Sequence, residues 1–235
     1  MSRRLKQTYA GGVRRLGTTL VRRGWISPTP PPRDRRWAHW AHSLVRVHDS
    51  LAIAELDVPW WTYRAVEAVD AWLAARPHPV RVFEYGSGAS TLWLAKRVDQ
   101  VHSVEHDGAF AGAMAPAFAA AGNIDFHVVE PEAMTDPVVP SAKGGHRGLD
   151  FARYVAAIDG LDGEFDLIVI DGRAREACLR RAVARLALDG LIVFDNTARR
   201  RYRAAIAAAP VTERRLAGLT PTLPYPEQTS LLTLT

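Results

Sequence analysis

From residue 80 onward, short runs of β-branched and apolar residues alternate with segments whose apolar positions recur every three or four residues. The first pattern is typical of strands and the second of helices, and their alternation predicts a doubly wound, mostly parallel α/β sheet of seven strands. The predicted strands are 80–84, 101–105, 124–130, 166–171, 191–195, 211–217 and 229–234. The predicted helices between them are 89–98, 108–121, 149–159, 174–187 and 198–208.

Two further helices are predicted before the sheet. An apolar stripe at helical spacing indicates a helix over residues 37–56; it consists of Trp37, Trp40, Leu44, Val47 and Leu51. Pro59 ends that pattern, and residues 60–75 form a second helical segment rich in Trp and Ala. We therefore divide the body of the chain into a helical part, 37–76, and a sheet core, 77–235.

Residues 1–36 form a separate basic arm. They hold ten Lys or Arg against one acidic residue, a net charge of +9, whereas the whole chain carries only +5. A helical face is predicted from the spacing of Leu5, Tyr9, Val13, Leu16 and Leu20, and the proline-rich run at 27–32 predicts a stiff, extended linker. The hypotheses for residues 1–26 are a solvated arm, an organellar presequence or contact with an anionic membrane surface. RNA binding is disfavoured because one aromatic residue precedes Trp25.

Composition excludes disulfide-stabilised, cysteine-zinc and membrane-spanning proteins. The single cysteine, Cys178, excludes an intramolecular disulfide and any Cys-based zinc cluster, and its place among Ala and Leu predicts a buried small residue. No uncharged apolar stretch reaches the ~20 residues that a membrane span requires. We expect a cytoplasmic protein whose arm can reach the inner membrane surface; the oligomeric state is not predicted.

Five consecutive predicted strands end in an acidic residue: Glu84, Glu105, Glu130, Asp171 and Asp195. The carboxyl ends of parallel strands lie at one edge of a sheet, where α/β proteins bind their ligands. The sequence therefore predicts one ligand site at that edge.

A glycine turn between the first strand and its helix supports a nucleotide-type ligand. Gly86 and Gly88 permit a tight turn and close approach of a ligand to the backbone, and Glu105 ends the next strand, where an acid accepts from ribose hydroxyls. A dinucleotide fingerprint requires a third glycine where Thr91 stands. Glu84, two residues before the turn, suits the ammonium of an amino acid, so S-adenosylmethionine fits better than NAD.

Residues 80–107, with Glu-Tyr-Gly-Ser-Gly-Ala-Ser-Thr at 84–91, resemble the cofactor-binding core of class I S-adenosylmethionine-dependent methyltransferases. The match is to bacterial members with an E-x-G-S-G-x-S-T turn; it covers about residues 57–235 and leaves the arm outside. The resemblance implies a Rossmann-like methyltransferase fold. It implies cofactor contacts from Glu84, Gly86, Ser87, Gly88, Ser90 and Glu105, with Glu130 or Glu132 near adenine.

Asp171, Asp195 and Asn196 are similar to the metal site of catechol and caffeoyl-CoA O-methyltransferases, which implies Mg²⁺ to orient an acceptor oxygen. Those enzymes place a lysine near the first aspartate, whereas this chain has Arg173 and Arg175, which stay protonated and cannot act as a base. The alternative is Asp171 as general base or cofactor contact, with Asp195 and Asn196 capping the next helix.

The methyl acceptor is expected to be a hydroxyl of a small molecule or of a glycan or lipid-linked compound. The Asn/Asp-Pro-Pro-aromatic motif of many amino-group methyltransferases is replaced by Asp-Gly-Arg-Ala at 171–174. His146, in the long Pro- and Gly-containing segment 131–148, is a second candidate base. Trp60, Trp61 and Tyr63 either cover the cofactor or belong to the core. The remaining alternatives are an NAD(P)-dependent oxidoreductase and a non-catalytic binding module on the same fold.

Overall fold

The structure, a computed structural model, describes residues 19, 22–24, 26–27, 29–45 and 50–235. A seven-stranded sheet forms its centre, with strands β1 (Arg81–Tyr85), β2 (Gln100–Glu105), β3 (Ile124–Val128), β6 (Phe165–Ile170), β7 (Leu186–Asp195), β8 (Val211–Gly218) and β9 (Glu227–Leu234). The short strands β4 (Glu132–Ala133) and β5 (Leu149–Asp150) pair separately and antiparallel to each other.

The sheet order is β3-β2-β1-β6-β7-β9-β8. The first five strands in that order are parallel, and β9 runs antiparallel between β7 and β8. This confirms the predicted doubly wound, mostly parallel seven-stranded sheet. The switch point lies between β1 and β6, so a ligand is expected beyond the carboxyl ends of those two strands.

Helices cover both faces of the sheet, which explains why strands β6 and β7 are almost wholly apolar. The helices are α1 (Arg36–Ser43), α2 (Ser50–Ala54), α3 (Tyr63–Ala74), α4 (Ala89–Ala95), α5 (Gly108–Ala121), α6 (Ala152–Ala156), α7 (Arg175–Arg185) and α8 (Arg200–Ala207), with a 3₁₀ turn at Ala157–Gly160. One core cluster includes Ile53, Trp61, Val69 and Trp93; the other, on the opposite side, includes Ile158 and Cys178.

The structure corrects several predicted boundaries. The helix predicted at 149–159 begins only at Ala152, because Leu149 and Asp150 form β5. The Asp150 carboxylate accepts from the backbone N–H groups of Ala152, Val138 and Val139, which fixes the end of the long loop. Strand β7 begins at Leu186, five residues before its prediction, and β3 ends two residues early.

The predicted arm helix and part of the linker lie outside the described residues. At the end of the arm, Arg33 donates to Asp70 at 2.7 Å and Arg36 to Glu67 at 2.8 Å, so this part contacts α3. Within the described residues, no helix combines the length and apolarity needed to cross a membrane.

Candidate functional site

A cavity of about 800 Å³ opens at the carboxyl edge of the sheet. Its walls are the turn between β1 and α4, the residues that follow β2 and β6, the side chains of Trp60 and Phe110, and the segment 143–146 of the long loop. The cavity therefore lies at the switch point where the sequence predicts a ligand.

Gly86 brings two turns of this wall together. Its φ of 94° favours glycine, and a Cβ there would lie 2.6 Å from the backbone N and Cα of Gly172, in the turn after β6. Its N–H donates to the carbonyl of Val104 at 2.9 Å, which fixes the turn against β2. Glycine is therefore required where the two turns pack together, and the turn lines the cavity; its contact with a cofactor stays a prediction.

Glu84 does not line the cavity, which corrects the direct contact expected from the sequence. Its fully buried carboxylate accepts hydrogen bonds from the hydroxyls of Ser90 and Thr91 at 2.5 Å and of Ser103 at 2.8 Å. Burial raises the pKa of Glu84 to about 7. Three hydroxyl donors from α4 and β2 turn the carboxylate inward, so Glu84 connects β1, α4 and β2 beneath the turn.

Glu105 lines the cavity, as predicted. Its carboxylate accepts from the N–H groups of Ser87 at 3.2 Å and of His106 and Asp107 at 2.8 Å each. These backbone donors hold the carboxylate in one orientation at the end of β2. Ser87, Gly88 and Ser90 also line the cavity.

The residues expected near adenine lie elsewhere. Glu130 is exposed, and its carboxylate accepts from the N–H of Gly108 at 3.2 Å, at the start of α5. Glu132 pairs with Arg153 at 3.0 Å. Neither is among the cavity-lining residues. The wall here includes Phe110 instead, whose role sequence patterns did not indicate because it lies within an Ala-rich helix.

The two aspartates of the predicted metal site surround an arginine. The guanidinium of Arg175 donates to the Asp171 carboxylate at 2.7 Å and lies 3.9 Å from the Asp195 carboxylate. It also donates to the carbonyls of Asp171, Gly172 and Asp195 at 2.6–3.1 Å. A fixed positive charge therefore fills the space between the proposed ligands, and the arrangement does not fit Mg²⁺.

The second aspartate is also engaged away from the cavity. The Asp195 carboxylate accepts from the Thr229 hydroxyl at 2.7 Å, on β9, so it does not cap the following helix as the alternative hypothesis required. Burial and the neighbouring Asp171 raise the pKa of Asp195 to about 7, and burial also raises the pKa of Asp171. Asn196 lies in the left-handed region, with φ 57°, and lines an adjoining pocket.

His146 reaches the cavity from the long loop, as the sequence hypothesis required. Its ring lies 5.7 Å from that of His106 and 5.8 Å from that of Phe151. Burial, with repulsion from Arg173, lowers the pKa of His146 below its ordinary value, so the imidazole is neutral at pH 7. A neutral imidazole at the cavity wall can accept a proton.

The other aromatic residues singled out from the sequence lie partly in the cavity wall and partly in the core. Trp60 lines the cavity and its indole N–H donates to Thr222 at 2.9 Å, whereas Trp61 and Tyr63 belong to the core. Cys178 is fully buried as predicted, and burial raises the pKa of its thiol. Lys143, which sequence reasoning did not single out, lies on the wall at the loop that carries His146.

No family model and no curated protein matches this sequence. Among solved structures, TrmN from Thermus thermophilus superposes with a TM-score of 0.51 at 16% identity, over 77% of this chain and 49% of its own. An rRNA methylase from Streptococcus thermophilus gives 0.50 at 10% identity, over 73% and 97%. A candidate methyltransferase from Streptococcus mutans, solved in complex with SAH, gives 0.50 at 9% identity, over 73% and 98%.

The fold is the Rossmann-like fold of class I methyltransferases. The antiparallel β9, inserted before the edge strand β8, separates this methyltransferase fold from the 3-2-1-4-5-6 order of dinucleotide-binding sheets. The present chain spans about half the length of TrmN. At these identities the likeness concerns the fold, and the bacterial E-x-G-S-G-x-S-T turn type stays a prediction.

Proposed function

We propose that the protein is an S-adenosylmethionine-dependent methyltransferase. The observation that carries this proposal is the wall of the large cavity, which the Gly86 turn and the Glu105 carboxylate at the end of the next strand line together. The turn follows β1 at the switch point of a methyltransferase fold, and Glu105 ends the neighbouring strand β2.

The residues present fit this cofactor. The backbone of Gly86, Ser87 and Gly88 would hold its methionine part, and Glu105 would accept from its ribose hydroxyls. Glu84 acts indirectly, by holding the turn in place through Ser90 and Thr91. When bound, the cofactor supplies an electrophilic methyl group, and the protein's task is to align an acceptor with it and to exclude water.

His146 is the better candidate for the general base. The Asp171 carboxylate is held by the Arg175 guanidinium at 2.7 Å, whereas the imidazole of His146 is neutral and lies on the cavity wall. A hydroxyl of a small molecule, or of a glycan or lipid-linked compound, remains the proposed acceptor. Its proton would move to His146 as the oxygen takes the methyl group.

RNA is the second candidate acceptor. RNA binding is disfavoured for the arm because the arm is poor in aromatic residues, but the acceptor would bind at the cavity, which is a different part of the chain. An rRNA methylase shares the fold, and several arginines lie beside the cavity. Incubation with cofactor carrying a tritiated methyl group, with total RNA in one arm and a small-molecule extract in the other, distinguishes the two candidates by which fraction becomes labelled.

Calorimetry tests the cofactor. Titration of the full chain with S-adenosylhomocysteine is expected to give saturable one-to-one binding, and titration with NAD⁺ none. Binding of NAD⁺ without S-adenosylhomocysteine would overturn the proposal in favour of an oxidoreductase. Binding of S-adenosylhomocysteine together with no methyl transfer to either fraction would favour the non-catalytic module.

A further inference from the structure

A second, smaller pocket of about 290 Å³ adjoins the large cavity. The two share Lys143, Gly172 and Arg173. We propose that this arginine pocket binds an oxyanion, a phosphate or a carboxylate, carried by the methyl acceptor. The assignment to the acceptor rests on the proposed function, whereas oxyanion binding itself does not.

Positive charge dominates the pocket wall. Its cations are Lys143, Arg173, Arg175, Arg199 and Arg201, against one lining acid, Glu176. Glu176 lies 3.4 Å from the Nε of Arg201, so that acid is already paired. Even with Asp171 and Asp195 counted behind the wall, the cations outnumber the acids by two, so the pocket attracts anions.

Two of these arginines have unused donors. Within the described part of the chain, neither Arg173 nor Arg199 has a carboxylate at ion-pair distance, unlike Arg175 and Arg201. Arg173 donates to the carbonyl of Gly172 at 3.2 Å, and its Nε is buried without an acceptor among the described residues. The Arg199 guanidinium lies 5.8 Å from the ring centre of Tyr202.

The guanidinium of Arg173 is in an unfavourable environment without an anion. Burial, together with the neighbouring Arg175, lowers its pKa. An oxyanion beside it would supply the acceptor that Nε lacks and would offset the repulsion between the two arginines. Planar guanidinium groups bind carboxylates and phosphates with paired hydrogen bonds, which makes them the residues of choice for this task.

The position suits an acceptor bound beside the cofactor cavity. Arg173 lines both spaces, so a molecule with its oxyanion in the arginine pocket can extend its reacting atom into the large cavity, where His146 lies. The N-terminal ends of α7 and α8 border the pocket at residues 174–176 and 199, and their dipoles add to the attraction for an anion.

Calorimetric titration of the full chain at constant ionic strength tests the proposal, with inorganic phosphate and acetate as separate probes. We expect saturable binding of at least one probe, weakened about fivefold or more in Arg199→Ala, because a charge-assisted hydrogen bond is lost. Arg200→Ala is the matched control: it removes the same charge one residue away, from an exposed side chain outside the pocket wall. Arg173→Gln is expected to weaken binding of the same probe.

Binding of phosphate alone would assign a phosphorylated acceptor, and binding of acetate alone a carboxylated one; both support the pocket. Absence of saturable binding, or equal weakening by Arg199→Ala and Arg200→Ala, would overturn it. The affinity of Arg199→Ala for S-adenosylhomocysteine is measured in parallel and is expected to match that of the unmodified chain. If the unmodified chain does not bind S-adenosylhomocysteine, the proposed function is contradicted. The phosphate and acetate titrations test the arginine pocket independently of that result.

Discussion

Two groups of acidic residues lie at the same edge of the sheet and serve opposite purposes. At the ends of β1 and β2, the Glu105 carboxylate lies on the cavity wall and Glu84 supports the turn from beneath. At the ends of β6 and β7, Asp171 and Asp195 surround the guanidinium of Arg175. We propose the first group for cofactor binding, whereas the second forms an internal cluster that holds two strands and a helix together.

The difference between the two groups comes from Arg175, four residues after Asp171. Arg175 begins α7, and from there its guanidinium reaches back to Asp171 and across to the backbone of Asp195. No arginine occupies the corresponding place after Glu105. The ring Nδ1 of His106 lies 2.5 Å from its carboxylate, the backbone N–H groups of His106 and Asp107 donate to it, and the carboxylate stays on the wall. A strand-end acid is therefore a good ligand candidate only when no cation of the fold reaches it first.

The largest expected effect is on stability and comes from removal of the internal cation. Arg175→Met leaves the carboxylates of Asp171 and Asp195 without the guanidinium that lies between them, which costs about 3–5 kcal/mol of the free energy of unfolding in comparable cases. Urea denaturation at pH 7 measures it. Arg200→Met, an exposed neighbour, is the control and is expected to change stability by less than about 0.5 kcal/mol. Equal stability of the two variants would show that the cluster is not structural.

The next largest expected effect is the pH dependence of the free energy of unfolding that Glu84 causes. Its folded pKa of about 7 lies above the ordinary value of 4.5, so the folded state binds the proton more tightly and stability falls as pH rises from 4.5 through 7. The full fall is roughly 3 kcal/mol. Glu84→Gln should reduce the fall in unfolding free energy between pH 5 and pH 8 by that amount, while the part that comes from Asp195 remains. The exposed Glu164→Gln should keep the slope of the unmodified chain, and an unchanged slope in Glu84→Gln would contradict the assignment.

Gly86→Ala tests the turn itself. The added methyl group meets the backbone of Gly172 at a positive φ, and we expect a loss of about 2–3 kcal/mol with loss of S-adenosylhomocysteine binding. Gly112→Ala is the matched control, because its Cβ meets nothing within 4 Å and it lies inside α5. That change should stabilise the protein by up to about 1 kcal/mol. Thermal unfolding with and without the ligand reports both effects, and retained binding in Gly86→Ala would argue against a cofactor at this turn.

Glu105→Gln has the smallest expected effect. Gln keeps the shape of the side chain but removes the charge that would accept from ribose hydroxyls, so the affinity for S-adenosylhomocysteine should fall about tenfold. Glu130→Gln, which lies outside the cavity wall, should leave that affinity unchanged. A larger loss of affinity in Glu130→Gln than in Glu105→Gln would indicate that the cofactor contacts Glu130, as first expected from the sequence.

Periodicity predicted the sheet well because strands buried on both faces consist of unbroken apolar runs, as at 167–170 and 191–194. It did not predict β5, because two residues carry no periodicity and Asp150 defines that segment through backbone contacts distant in sequence. Spacing also located Gly86 and Glu105. It could not show the orientation of Glu84, since Ser103 becomes its neighbour only after folding. It could not show that of Asp171 either, because a spacing of four residues does not say whether the Arg175 guanidinium turns towards the carboxylate.

If the two groups of acids differ as described, the glycine turn and Glu105 bind the cofactor without help from Asp171 and Asp195 at the ends of β6 and β7. Calorimetric titration with S-adenosylhomocysteine in the presence of EDTA, applied to the unmodified chain and to Glu105→Gln, tests this most directly. We expect one-to-one binding in the unmodified chain that EDTA does not alter and that Glu105→Gln weakens about tenfold. Binding that EDTA abolishes, or that Glu105→Gln leaves untouched, would contradict this expectation.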